Sequence, residues 1–169
     1  MEKILVPLDG SELAEEVLPY AKELATRLSG TIFLVRVVSS AQQLAVAGIT
    51  GAGVIDGVST VAIEAMEEAI ALQMEEARVY LGREAWKLQW DGISAVWEVR
   101  QGFPAEEIIG YAKANEIDLI AISSHGRSGL GRLVFGSVSD QVIRESGVPV
   151  MVIKHPKEDG ESGSEGEED

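Results

Sequence analysis

Continuous apolar runs alternate along the chain with longer segments in which apolar residues return every third or fourth position. The first run, Lys3-Ile4-Leu5-Val6-Pro7-Leu8, ends at Asp9-Gly10-Ser11, a turn that also offers a helix cap, so a strand leads into a helix. From Glu12 onward Leu13, Val17, Ala21, Leu24 and Leu28 keep helical spacing, and Gly30 stands where a C-terminal cap belongs. Thr31 to Val38 is β-branched and almost unbroken in apolar character, as in a strand covered on both sides. Ser39 to Thr60 holds Gly48, Gly51, Gly53 and Gly57 without a sustained period and reads as a mobile loop. Ile63, Met66, Ile70, Met74, Ala77, Leu81, Ala85 and Leu88 then predict one long amphipathic helix, its methionines filling core and Trp86 and Trp90 packing near its end.

Ser94 to Arg100 sets Ala95, Trp97 and Val99 against Val96, Glu98 and Arg100, a strand with one wetter face near a sheet edge. Pro104 suits the first turn of the next helix, and Glu106 and Glu107 suit the positive end of its dipole. Asp118 to Ser123 is a fourth strand, Ser137 to Glu145 a last helix broken by Gly147 and Pro149, and Val150 to Ile153 a fifth strand. Each parallel strand pair needs a crossover, and crossovers are right-handed. The alternation therefore predicts an α/β fold, an open five-stranded parallel sheet with helices on both faces. Ligands of such sheets lie beyond the carboxyl ends of the strands, where the winding reverses, so the loops that follow strands are the ones to inspect.

Composition narrows the chemistry. The 169 residues, 46% hydrophobic and 25% charged, fit one compact domain, expected over residues 1–155. Residues 156–169 hold Glu158, Asp159, Glu161, Glu165, Glu167, Glu168 and Asp169 against Lys157, with no apolar residue, and predict a disordered acidic tail. A net charge of -14 disfavours nucleic acid and anionic lipid as partners. The absence of cysteine excludes a disulfide scaffold, a thiolate zinc site and a cysteine nucleophile, and His125 and His155 are too few for a histidine metal centre. No apolar run has the length of a membrane helix and the N-terminus lacks a signal-peptide layout, so a cytoplasmic location is expected.

Two loops stand out. In Pro7-Leu8-Asp9-Gly10-Ser11 a carboxylate at the junction of strand and helix either caps the helix or accepts hydrogen bonds from vicinal ribose hydroxyls. The loop from Ser123 to Val138 is rich in glycine and carries Arg127 and Arg132 with no acid, a positive focus in an acidic protein. Glycine-exposed amides, the Arg127 guanidinium, the Ser137 hydroxyl and a helix N-terminus at Gly136-Ser137-Val138 suit a phosphate. His125 reads as a solvent-facing loop residue, since no neighbouring carboxylate orients it.

Gly126, nine residues, then Gly136-Ser137 resembles the nucleotide signature of the universal stress protein family. So do Ile4 to Ser11, Leu34-Val35-Arg36-Val37, Gly102-Phe103-Pro104-Ala105 and Gly147 to Ile153; the resemblance spans Met1 to Lys154. It implies strand order 3-2-1-4-5, as in the adenine nucleotide alpha hydrolase-like, Rossmann-like folds, and a site for ATP. Pro7 and Leu8 would line the base pocket beside Val37, whose backbone would read the adenine edge, with Asp9 facing ribose and adenine and Ile122 closing the floor. Gly126, Arg127, Gly136, Ser137 and Val138 would hold the phosphates, with Mg²⁺ or Mn²⁺ bound through them. The last strand, Pro149 to Ile153, would pair with its twofold mate in a homodimer.

Ser123 departs from the family pattern, standing where its first glycine falls. A Cβ there is costly if the backbone needs positive φ, whereas at negative φ the hydroxyl can donate to a phosphate oxygen. The implied function is that of an ATP-binding stress-response regulatory protein with slow hydrolysis or none. The alternative is a nucleotide-free dimeric interaction scaffold of the same family. A nucleotidyl transferase or true ATPase is the weakest reading, since the transferases' signature histidine pair is missing and no motif positions a base, and no catalytic residue is assigned.

Overall fold

The structure, a computed structural model, describes residues 2–39, 60–124 and 136–154. Its elements run β1 (Lys3–Pro7), α1 (Glu12–Glu15), α2 (Leu18–Leu28), β2 (Thr31–Val38), α3 (Thr60–Trp90), β3 (Ser94–Gln101), α4 (Pro104–Ala114), β4 (Leu119–Ser124), α5 (Ser137–Glu145) and β5 (Val150–Lys154). The strands form one parallel sheet in the order β3-β2-β1-β4-β5, as the family resemblance implies. The loop at 40–59 and the acidic segment 156–169 lie outside the described residues.

Side-chain alternation within the strands sorts the helices into two layers. Ile4, Val6, Ile32, Leu34, Leu119 and Ala121 face Ala21 and Ala25 of α2 and Leu81, Ala85 and Leu88 of α3. Leu5, Val35, Ile120 and Ile122 face Ala105, Ile108, Tyr111 and Ala112 of α4 and Val142 of α5. Burial of each large aliphatic side chain contributes about 1.5–3 kcal/mol, and β1, covered on both faces, concentrates it: Ile4, Leu5 and Val6 are fully buried.

Four local expectations are corrected. The helix after β1 is two helices, because Pro19 in the first turn of α2 has no N–H to give and its ring clashes with the carbonyl four residues back. The cap of α2 is Ser29, at φ 53°, rather than Gly30. Gly30 is needed for close approach instead: a Cβ there would lie 2.7 Å from the Glu2 carbonyl oxygen, which accepts the Thr31 N–H at 2.6 Å. Trp86 and Trp90 do not pack into the core; they are 59% and 77% exposed, and their rings lie against each other with centroids 5.4 Å apart. Met66 and Met74 are only half-buried. β3 is an edge strand among the described residues, as its wetter face suggested, paired there with β2 alone.

Polar groups pin the sheet at its ends. Asp118 Oδ2 accepts the Glu2 and Lys3 N–H groups at 2.7 and 3.1 Å, and these bonds hold its carboxyl below the usual carboxylate range. Glu84 is buried on α3 but fully paired, with Lys87 Nζ at 2.8 and 2.9 Å and Arg83 Nε at 3.0 Å. Among the described residues no helix is long and apolar enough to cross a membrane.

Candidate functional site

β1 lies between β2, which follows it in sequence, and β4, which comes after two further crossovers, so the direction of winding reverses between β1 and β4. Parting loops at such a point leave a crevice at the strand ends. The turn after β1 and the start of α5 border it. One space of about 230 Å³ is lined by Pro7, Leu8, Asp9, Ala14, Val35, Val37, Pro104, Ile108, Ile122, Ser123, Val138, Ser139 and Val142. A second of similar volume shares Asp9, Ala14, Ser123, Val138 and Ser139 with it and adds Ser11, Leu13, Gly136 and Ser137. The cleft is thus apolar at one end and polar at the other.

Asp9 sits where the chain leaves the sheet. Its Oδ1 accepts the Ser11 N–H at 2.8 Å and the Ser11 hydroxyl at 2.6 Å, while Ser11 Oγ accepts the Ala14 N–H at 3.1 Å. Ser11 is therefore the helix cap, and Asp9 fixes the cap while its second oxygen keeps acceptor capacity. Gly10 makes the turn possible at φ 90°, with the Arg36 guanidinium against it where a Cβ would be 3.0 Å from a terminal nitrogen. Arg36 in turn covers the Tyr80 ring at 5.2 Å; burial and a hydrogen bond to Glu15 raise the Tyr80 hydroxyl above its ordinary pKa.

The β2 backbone also opens on the cleft. Val35 C=O accepts the Leu8 N–H at 2.8 Å and Val38 C=O accepts the Gly102 N–H at 3.0 Å. Groups alternate sides along a strand, so Val37 turns its N–H and C=O toward β1. The β1–β2 register ends at Pro7 opposite Val35, leaving these groups beyond the last strand partner.

At the polar end, Gly136 is the N-cap of α5 at φ -61°, with no side chain to satisfy the first amides and, among the described residues, nothing within 4 Å of a Cβ placed there. The Ser137 and Val138 N–H groups start the helix without intrahelical acceptors, a geometry that favours anions. Ser123, at the end of β4, keeps its φ out of the left-handed region, so serine replaces glycine there without backbone strain. Its Oγ is buried and has no hydrogen-bond partner among the described residues.

Every expected site residue among those described, Pro7, Leu8, Asp9, Val37, Ile122, Ser123, Gly136, Ser137 and Val138, borders this cleft. Gly126 and Arg127, with His125 and Arg132, lie outside the described residues. Missed were Leu13, Ala14, Pro104, Ile108, Ser139 and Val142, which helices bring in from both sides, and Val35 on β2. Among the described residues no group of three or more His, Cys, Asp or Glu is placed to hold a metal ion.

The universal stress protein family model matches residues 1–154. Universal stress protein Sll1388 of Synechocystis sp. is 33% identical over 154 residues, covering 90% of this chain and 97% of the relative. The structure of MJ0577, from Methanocaldococcus jannaschii, is 28% identical, covers 92% of this chain and 97% of that one, and superposes with a TM-score of 0.71. A universal stress protein from Archaeoglobus fulgidus in complex with dAMP shares the fold, with 20% identity, 91% and 98% coverage and a TM-score of 0.61.

Proposed function

The chain belongs to the universal stress protein family, and on that premise we propose that the cleft between β1 and β4 binds ATP or a related adenine nucleotide, making this a nucleotide-binding stress-response regulator. The supporting observation is the convergence in one cleft of an apolar slot, a carboxylate and a bare helix N-terminus. In this reading the base lies among Pro7, Leu8, Val37 and Ile122, with the Val37 N–H and C=O toward its edge. Asp9 accepts from the ribose hydroxyls, and the amides of Ser137 and Val138 and the Ser137 hydroxyl take phosphate oxygens. The sequence pattern assigns Gly126 and Arg127 to the same phosphates. The family relative in complex with dAMP supports the ligand class.

Magnesium or manganese would be held through the phosphates, where it neutralises their charge. Binding, with slow hydrolysis or none, is the activity; residues 1–155 form the binding domain, and it pairs with its twofold mate along the open edge of β5. Ser123 favours a second reading, a nucleotide-free scaffold, because a side chain stands where the family's loop glycine falls. Mass spectrometry of small molecules released on denaturation, followed by calorimetric titration with ATP, separates the two. An adenine nucleotide released, or saturable ATP binding, supports the first; neither supports the scaffold.

A further inference from the structure

Helix α3 carries two apolar stripes on opposite sides. Ile70, Ala77, Leu81, Ala85 and Leu88 are buried, on the side packed against β2 and β3. On the far side Leu72, Val79 and Trp86 recur at seven-residue steps with Trp90 one turn on, and they are 62%, 67%, 59% and 77% exposed. Seven residues make nearly two turns, so these side chains stack into one line about 27 Å long, one apolar position per heptad, with Glu76 and Arg83 at the alternate position. The charges beside the line are divided by sign. Glu64, Glu67, Glu68, Glu75 and Glu76 occupy the first half with no base among them; Arg78, Arg83 and Lys87 occupy the second, where Glu84 is the one acid and is buried.

We propose that this face docks the same face of a second copy of the chain, antiparallel about a twofold axis through Val79. In that register Val79 meets its own counterpart, Leu72 meets Trp86 of the second copy, and Glu75 and Glu76 meet Arg83 of the second copy. A parallel arrangement sets acids against acids. The whole chain carries -14, so two copies repel at long range, and the match of signs along α3 offsets that repulsion locally and selects the antiparallel direction. An isologous contact of this kind is separate from the β5 edge and from the nucleotide cleft.

The chain contains no cysteine, so an introduced thiol reports alone. With copper phenanthroline and air as the oxidant, Val79→Cys is expected to form an intermolecular disulfide ~10²-fold faster than Gln73→Cys, which is exposed on the flank of the same helix, because pairing raises the local thiol concentration from about ten micromolar to the millimolar range. Leu72→Cys and Trp86→Cys proteins, mixed, should cross-link to each other and not to themselves. Arg83→Glu should slow the Val79→Cys reaction to the Gln73→Cys rate, and adding Glu75→Arg and Glu76→Arg should restore it. Equal rates at 79 and 73, or no restoration, overturns self-docking. So does a Val79→Cys thiol that resists alkylation yet never cross-links, which assigns the face to another occupant.

Discussion

Ser123 Oγ, buried at the polar end of the cleft with no hydrogen-bond partner among the described residues, costs the free protein stability and offers a ligand a donor. The two effects have opposite signs. Ser123→Ala should raise the stability of the nucleotide-free protein by about 1 kcal/mol and weaken ATP binding about fivefold to tenfold, read by urea unfolding and calorimetry. Loss of stability with unchanged affinity would remove the hydroxyl from the site. Asp118 gives a pH test of the strand ends. Its pKa is lowered chiefly by the Glu2 N–H bond and then by that of Lys3, so its contribution is complete above the unfolded value near ~3.9 and disappears as pH falls through the folded value. Asp118→Asn should therefore unfold at lower urea than wild type at neutral pH, with the difference closing only below the ordinary carboxylate range. A difference independent of pH would exclude the charge as its cause.

Gly82 lies inside α3, where a Cβ would make ordinary contact with the Trp97 ring at 3.7 Å. Gly82→Ala should stabilise by about 0.5–1 kcal/mol in thermal or urea unfolding, since nothing in the native backbone requires glycine there. A lower midpoint would show that the helix cannot take the added methyl. The strands were legible in the sequence because the middles of β1, β2 and β4 are covered on both faces and are almost unbroken in apolar character. The break between α1 and α2 was signalled by Pro19 and hidden by apolar spacing that runs on through it. Trp86 and Trp90 misled for another reason: an exposed stripe has the composition of a buried one, and only its phase, opposite Leu81 and Leu88, separates them. Asp9 and Ser137 were recognisable because strand-end turns collect polar and small residues. Ile108 and Val142 were not, because what they line depends on which strands become neighbours.

Strand order places β5 at one margin of the sheet, paired among the described residues with β4 alone. Pro149 C=O accepts the Ile120 N–H at 2.9 Å, so by alternation the Val152 N–H points to the open edge. Val152→Pro removes that donor without touching the β4 ladder and should halve the particle mass in sedimentation; an unchanged mass would place the assembly elsewhere. Nucleotide binding itself is tested most directly at Gly136, where a side chain has room and aspartate is a favoured helix cap. Gly136→Asp should therefore match or exceed wild-type stability by a few tenths of a kcal/mol while setting a carboxylate against the phosphates. Calorimetric titration of both proteins with ATP decides the matter: saturable one-to-one binding in wild type and none in the folded variant is the expected result. Equal affinity in the two, or no heat from wild type, would contradict a nucleotide site between β1 and β4.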